Sequence, residues 1–269
     1  MGSASIIQLG PRLYSPEQRG VPTAEAPLHE AALASARLLA PPKLRKLVVV
    51  PELEIAGLRP DLWIGSFSEK NFQRRLAENL EPCTAPYPLA VADAVRRLGG
   101  EAEVDQLISP PFRLGDRRRV QRGIAELVDR GLADRDEGHI RLNRAFKTAG
   151  VRGVGVEAKL GRWRKAVRQA QMWRSFVNGA WLLFPATYLP HVPRQRPGLR
   201  SLGLAVADED GKVTVIRQPR LIVGHPLART ITEEHLYARW RLEAPERQPA
   251  ASLSKRKRSR SAQSVLASA

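Results

Sequence analysis

Three residues of this 269-residue chain carry side chains that could act on a phosphate. In GVGVEAKL a carboxylate, Glu157, and an ammonium, Lys159, stand two positions apart among small and β-branched residues that read as a strand. A strand sends alternate side chains to one face, so Glu157 and Lys159 should project side by side while Val156, Ala158 and Leu160 turn to the core. The third residue is Asp61 in RPDLWIGSF, on a face whose reverse carries Leu62 and Ile64. Two carboxylates offer hard oxygen donors of the kind Mg²⁺ accepts, and a neighbouring ammonium can orient water or stabilise a phosphate gaining charge. The alternative is an exposed ion pair worth less than about 1 kcal/mol, with Asp61 a turn or strand-end residue.

The surrounding elements decide whether these residues can meet. LHEAALASARLL (28–39) is a good helix former stopped by Ala40-Pro41-Pro42, KLVVVPELEIAG reads as one or two strands, and 59–67 as another. A helix and linker occupy 68–83. After ExK comes a helix from Arg162 to Val177 whose Trp163, Ala166, Val167, Ala170, Trp173, Phe176 and Val177 trace one apolar face, and AWLLFPA (180–186) is a buried strand. Residues 202–219 read as a hairpin turning at Asp210-Gly211.

Between the two halves the grammar changes. PLAVADAVRRLGG places Leu89, Val91, Val95 and Leu98 at helical spacing, EVDQLI gives a short second helix, and DRRRVQRGIAELVDRGL a third with Val120, Ile124, Leu127 and Val128 inward. ADRDEGHIRL supplies two strands about Glu137-Gly138. Residues 88–144 thus resemble a winged helix-turn-helix domain. In that resemblance the third helix reads duplex DNA, with Arg117, Arg118, Arg119, Gln121 and Arg122 in its first turns, where arginines grip phosphates or bond guanine. A solvated basic helix face, or a winged helix used for protein contacts, is the alternative.

With the insert removed, the order is helix, strand, strand bearing Pro60-Asp61, strand bearing Glu157-Ala158-Lys159, helix, strand. This resembles the PD-(D/E)XK nuclease superfamily over residues 28–67 and 153–186, and the inserted domain explains the long interval between Asp61 and Glu157. The resemblance implies an α/β fold, a restriction endonuclease-like mixed-sheet core interrupted by a winged helix-turn-helix domain. It also implies a metal-dependent deoxyribonuclease using Mg²⁺, with Mn²⁺ as substitute. Catalytic residues would be Asp61, Glu157, Lys159 and Gln169, and metal ligands Asp61, Glu157, the Ala158 carbonyl and Glu30, with Glu54 as the rival of Glu30. Some relatives carry Gln followed four residues later by Tyr; here Gln169 is followed by Trp173. Arg162, Arg164, Lys165 and Arg168 make that helix a phosphate rail. The expected divisions are an N-terminal loop (1–27), first core part (28–83), insert (84–146), second core part (147–245) and a basic, disordered tail (246–269).

Composition agrees with a polyanion partner. Lys plus Arg total 44 against 27 Asp plus Glu, a formal net charge of +17. The expected partner is DNA, duplex or branched, with a protein partner or homodimer also open. The single Cys83 rules out an intramolecular disulfide framework. No apolar run approaches the ~20 residues of a membrane span, and the first residues lack a secretion-signal pattern, so a cytoplasmic protein is expected, nucleoid-associated if bacterial. The five histidines show no zinc-hydrolase spacing and no Walker loop is present. A DNA-binding regulator or scaffold with an inactive nuclease fold, and an RNA-processing nuclease, remain the other readings.

Overall fold

A computed structural model of the chain describes residues 6–9, 25–44, 46–193 and 196–247. The basic run SLSKRKRSRSAQSVLASA and most of the segment 1–27 lie outside the described residues. In chain order the elements are β1 (Ile6–Gln8), α1 (Ala26–Ala34), α2 (Ala36–Leu39), β2 (Leu47–Pro51), β3 (Leu62–Ser66), α3 (Glu69–Ala77), α4 (Pro86–Arg97), β4 (Glu101–Glu103), α5 (Val104–Ile108), α6 (Arg117–Asp129), β5 (Ala133–Asp136), β6 (His139–Leu142), β7 (Arg152–Ala158), α7 (Trp163–Trp173), β8 (Gly179–Pro185), β9 (Gly203–Ala207), β10 (Val213–Arg217) and α8 (Pro226–Arg247).

Seven strands form one mixed sheet in the order β1-β2-β3-β7-β8-β9-β10. β1 and β2 run parallel, β3 is antiparallel to both β2 and β7, β7-β8-β9 are parallel, and β10 returns antiparallel to β9. Alternation along the strands fills two layers. Leu47, Val49, Leu62, Ile64, Val154, Val156 and Ala158 pack beneath Leu28, Ala31 and Ala32 of α1. Val48, Val50, Trp63, Leu182 and Phe184 pack on the other side with Ala166, Ala170 and Trp173 of α7. Both faces of β7 are therefore covered, which is the condition for a parallel strand in the middle of a sheet.

The chain leaves this sheet after β3 and re-enters in β7, its immediate neighbour, with Leu62 opposite Val156. Everything between can be accommodated without separating the two strands. α3 leads into the excursion, which contains the helices α4, α5 and α6 with a small antiparallel sheet ordered β4-β6-β5. Leu89, Val91, Val95, Val120, Ile124, Leu127, Leu132 and Ile140 are buried in its core. Asp116 caps α6 by accepting from the Arg119 backbone N–H at 2.7 Å. Two expected core positions differ. Val128 lies at the edge of the α6 stripe, roughly 80° around the helix from Val120, and is exposed; Leu98 falls at the C-terminal cap of α4 and is exposed too.

Three elements are absent from the sequence reading, one of them the short strand β4 that pairs with β6. β1, expected as loop, pairs with β2. The long helix α8 joins the sheet domain to the excursion. Glu234 accepts from the Cys83 backbone N–H at 2.8 Å, Tyr237 Oη donates to Leu80 O at 2.9 Å, Arg241 pairs with Glu81, and Glu233 accepts from the Ala149 N–H. One helix thus holds the chain where it enters and where it leaves the excursion.

Glu233 is buried, and burial raises its pKa from 4.5 to about 7 against the opposing Ala149 hydrogen bond. The folded state then holds a proton that the unfolded state has released, so this group's contribution to stability falls as pH rises from about 4.5 to about 7 and is constant above. Glu233→Gln keeps an oxygen for Ala149. We expect it to match the wild type in denaturant melts near pH 4.5 and to exceed it at pH 8 by up to about 3 kcal/mol; equal differences at both pH values would refute the assignment.

Candidate active site

The antiparallel register of β3 and β7 brings the separated motif residues together. Because Leu62 stands opposite Val156, the residue before the one and the residue after the other, Asp61 and Glu157, share one end of the sheet. Asp61 occupies the bend preceding β3, where its carbonyl accepts from the Glu52 N–H at 3.0 Å. Its carboxylate reaches across: Oδ2 accepts from the Ala158 backbone N–H at 2.7 Å and from Lys159 Nζ at 3.3 Å.

Lys159 follows the last residue of β7, still held to β8 by its N–H on Leu183 O at 2.9 Å. Its ammonium is surrounded by oxygen: Glu157 Oε1 at 3.1 Å, the Ala158 carbonyl at 3.1 Å, Asp61 Oδ2 at 3.3 Å and Glu25 Oε2 at 3.3 Å. An ammonium has three protons, so these acceptors share them. Leu160, expected to face the core, is exposed instead, because the strand ends at Ala158 and the chain turns into α7.

Glu157 itself is fully buried, on the α7 side of the sheet. Its Oε2 accepts from Trp173 Nε1 at 3.4 Å. The indole fits only because Gly155, two residues earlier on the same face, has no side chain; a Cβ there would meet the Trp173 ring at 2.3 Å. The small residues of GVGVE therefore position the carboxylate by making room for the aromatic ring that holds it.

The charges are mutually tuned. Burial and the neighbouring Asp61 charge push Glu157 up to about 7 despite Lys159 and Trp173. For Asp61 burial acts upward, but the His29 hydrogen bond and the Lys159 charge outweigh it, and its pKa lies below the ordinary value. Burial alone would depress Lys159, whereas Asp61 and Glu157 hold it above its usual range. One acid is thus kept ionised and the other poised near neutrality, a pattern found at functional sites.

The helix α1 contributes residues other than the expected one. Glu30 is exposed and no hydrogen bond or ion pair joins it to the cluster. Glu25, at the start of α1, reaches Lys159, and His29, one turn on and buried, lies with Nε2 3.5 Å from Asp61 Oδ2. Residues four apart share a helix face, while Glu30 is rotated ~100° from His29. The i, i+4 spacing of Glu25 and His29 is the available signal, hidden when the helix is taken to begin at residue 28. The rival Glu54 is exposed and pairs with Arg59 at 3.6 Å. Gln169 also stands apart: its Oε1 is buried without a hydrogen-bond partner among the described residues, and Trp173, the departure from the expected aromatic, contacts Glu157 in its stead.

The donor set is chemically suited to a hard divalent cation: carboxylate oxygens of Glu25, Asp61 and Glu157 and the Ala158 carbonyl. Among the described residues, however, no group of three or more His, Cys, Asp or Glu is gathered as a metal cluster. The acids converge on the Lys159 ammonium instead.

The basic residues fall in two regions. On α6, Arg117 pairs with Asp105, Arg119 lies 4.4 Å over the Tyr87 ring, and Gln121 is half-buried. Arg118 and Arg122, one turn apart, are exposed with no carboxylate partner among the described residues. On α7, Arg162, Lys165 and Arg168 line a cleft with Trp163, Arg164 and Tyr188. No helix among the described residues is long and apolar enough to cross a membrane.

Comparison with protein-family models, with curated proteins and with solved structures found no match for this chain.

Proposed function

We propose that the protein is a metal-dependent deoxyribonuclease with a restriction endonuclease-like core, engaging DNA through an inserted winged helix formed by residues 86–142. The observation that carries this reading is the meeting of Asp61, Glu157 and Lys159 at one sheet end, although the whole excursion separates them in sequence. The order helix α4, strand β4, helices α5 and α6, hairpin β5-β6 matches what a winged helix requires.

In this reading Asp61, Glu157, Glu25 and the Ala158 carbonyl hold Mg²⁺, or Mn²⁺ in its place. The ion supplies Lewis-acid stabilisation of the phosphate and of the departing oxygen. His29 and the Ala158 N–H fix the Asp61 carboxylate, and Trp173 fixes Glu157, so the oxygens are oriented before any ligand arrives. Lys159 would bear on a phosphate oxygen or on the attacking water. Arg118 and Arg122 offer free guanidiniums to the phosphates of a duplex.

The second reading, a DNA-binding protein with an inactive nuclease fold, is favoured by one observation: the Lys159 ammonium already neutralises the carboxylates that a metal would need. Calorimetry with Mn²⁺ and cleavage of a labelled panel of duplex, branched and single-stranded DNA separate the two. We expect wild-type protein to bind Mn²⁺ and cut in Mg²⁺, and Asp61→Asn to weaken Mn²⁺ binding at least about tenfold. A protein that cuts nothing and has no Mn²⁺ site dependent on Asp61 and Glu157 is the binder.

A further inference from the structure

The cleft on α7 is a site of its own kind. It measures about 460 Å³ and is lined by Arg162, Trp163, Arg164, Lys165, Arg168 and Tyr188, within the size range of clefts that hold ligands as large as a nucleotide. Four of its six lining residues are cations and none is acidic. A fifth cation, Arg196, lies 5.0 Å from the Trp163 ring centroid. None of these five has a carboxylate partner among the described residues, in contrast to Arg117, Arg130 and Arg141 of the excursion. Uncompensated positive charge in a concave surface selects an anion.

Phosphates alone would need only the cations. The two partly exposed rings add a surface that intact duplex cannot use, because its base faces are stacked within the helix, whereas an unpaired base presents a π-face to any aromatic side chain. Tyr188 is braced from behind by Phe184 and His191, with centroids 5.5 and 5.3 Å away. Gly161 lies nearby, where an added Cβ would be in ordinary van der Waals contact with the ring at 3.5 Å. Gly161 is two residues past Lys159, so the cleft residues Arg162 to Lys165 follow the candidate active site directly in the chain.

We propose that this cleft binds an unpaired DNA strand, with bases on Trp163 and Tyr188 and phosphates on Arg162, Arg164, Lys165 and Arg168, and that the substrate therefore carries a single-stranded stretch next to the cut. The placement of the cut rests on the nuclease reading of Lys159; the binding of the strand does not.

The experiment is fluorescence anisotropy in EDTA, which excludes cleavage, with labelled blunt duplex, the same duplex with 5′ or 3′ overhangs, and the single strand. Wild-type protein binds at least one overhang about tenfold more tightly than the blunt duplex. Trp163→Ala and Tyr188→Ala, singly and together, bring that affinity down to the blunt value and leave blunt-duplex binding within about twofold. Trp163→Phe, which keeps a ring, retains the preference. Equal wild-type affinity for blunt and overhanging DNA, or no binding to any of them, overturns the proposal. So does a preference that survives the double variant, or a loss that falls equally on blunt duplex, which would mean that the rings merely brace the arginines. A protein that prefers overhangs but cuts nothing keeps the cleft and loses the nuclease reading. One that cuts but binds blunt and overhanging DNA alike loses the cleft alone.

Discussion

Glu157→Gln is expected to lower Mg²⁺-dependent DNA cleavage by about 10²- to 10⁴-fold, since removing one ligand of a charge-stabilising ion forfeits several kcal/mol of transition-state stabilisation at about 1.4 kcal/mol per decade. The substitution is nearly isosteric, and the amide oxygen can still accept from Trp173 Nε1. Wild-type Glu157 is buried and titrates at about 7, so at pH 8 the neutral amide removes a buried charge and the melting temperature should hold or rise. Lost activity with retained stability distinguishes a catalytic carboxylate from a structural ion pair, whose loss would unfold the sheet end. Lys159→Met should likewise remove cleavage, while DNA affinity in Ca²⁺ stays near the wild-type value. Arg118→Ala, Arg119→Ala and Arg122→Ala combined should do the reverse. They would weaken duplex binding and flatten its salt dependence by about 0.9 log units per log salt for each phosphate that is no longer neutralised, leaving the rate at saturating DNA largely intact. Gel shifts across a salt series beside single-turnover cleavage measure both halves. If the arginine variants lose chemistry but not affinity, α6 does not face the DNA.

The site was legible in the sequence where local pattern and topology agreed. Alternation around VGVEAKL and DLWIGSF marked two strands, and their antiparallel pairing puts Asp61 and Glu157 together. Glu25 was hidden because it precedes Pro27 and the expected helix start at residue 28, which leaves its i, i+4 spacing with His29 unread; the docking of α1 on the sheet brings it to Lys159. His29 was equally invisible among scattered histidines. The helix α8 escaped notice for another reason. Thr230, Thr232, Glu233 and Glu234 are buried along it among Ile231, Leu236, Tyr237 and Trp240, so polar letters interrupt the apolar stripe that would have marked the helix. Thr230, Glu233 and Glu234 accept from backbone and guanidinium donors remote in sequence, and Thr232 Oγ1 donates to the Phe176 and Ala228 carbonyls; the remote partners cannot be read from a window of neighbouring letters. For the same reason an exposed ion pair stays open for Glu157 and Lys159 in the sequence: a strand covered by α1 and α7 on its two faces can bury a glutamate only when a distant tryptophan and the lysine two positions on answer it.

Glu234→Ala is expected to destabilise the protein by about 3–5 kcal/mol, because it strands a buried guanidinium. Arg75 and Glu234 are both inaccessible to solvent, joined by Nη1–Oε1 at 2.5 Å and Nη2–Oε2 at 2.9 Å. The guanidinium lies 3.9 Å from the Tyr237 ring centroid and 5.1 Å from that of Phe146. Glu234 Oε2 also holds the Cys83 N–H. The pair therefore ties α3 and α8 to both ends of the excursion, Cys83 where the chain enters and Phe146 where it leaves. For a chain of this size 1 kcal/mol corresponds to about 2–4 °C, so the melting temperature should fall by about 10 °C. Replacing both charges, as Arg75→Met with Glu234→Leu, should recover much of the loss, since the penalty belongs to the unpaired ion rather than to the missing bridge. The single variant should also expose residues 80–85 and 145–151 to limited proteolysis before the sheet unfolds, as both junctions lose their common anchor. If Glu234→Ala melts with the wild type and its junctions stay protected, α8 does not clamp the excursion, and the orientation of the DNA-contacting arginines relative to Asp61, Glu157 and Lys159 must be maintained by the apolar packing of α4 on α8 alone.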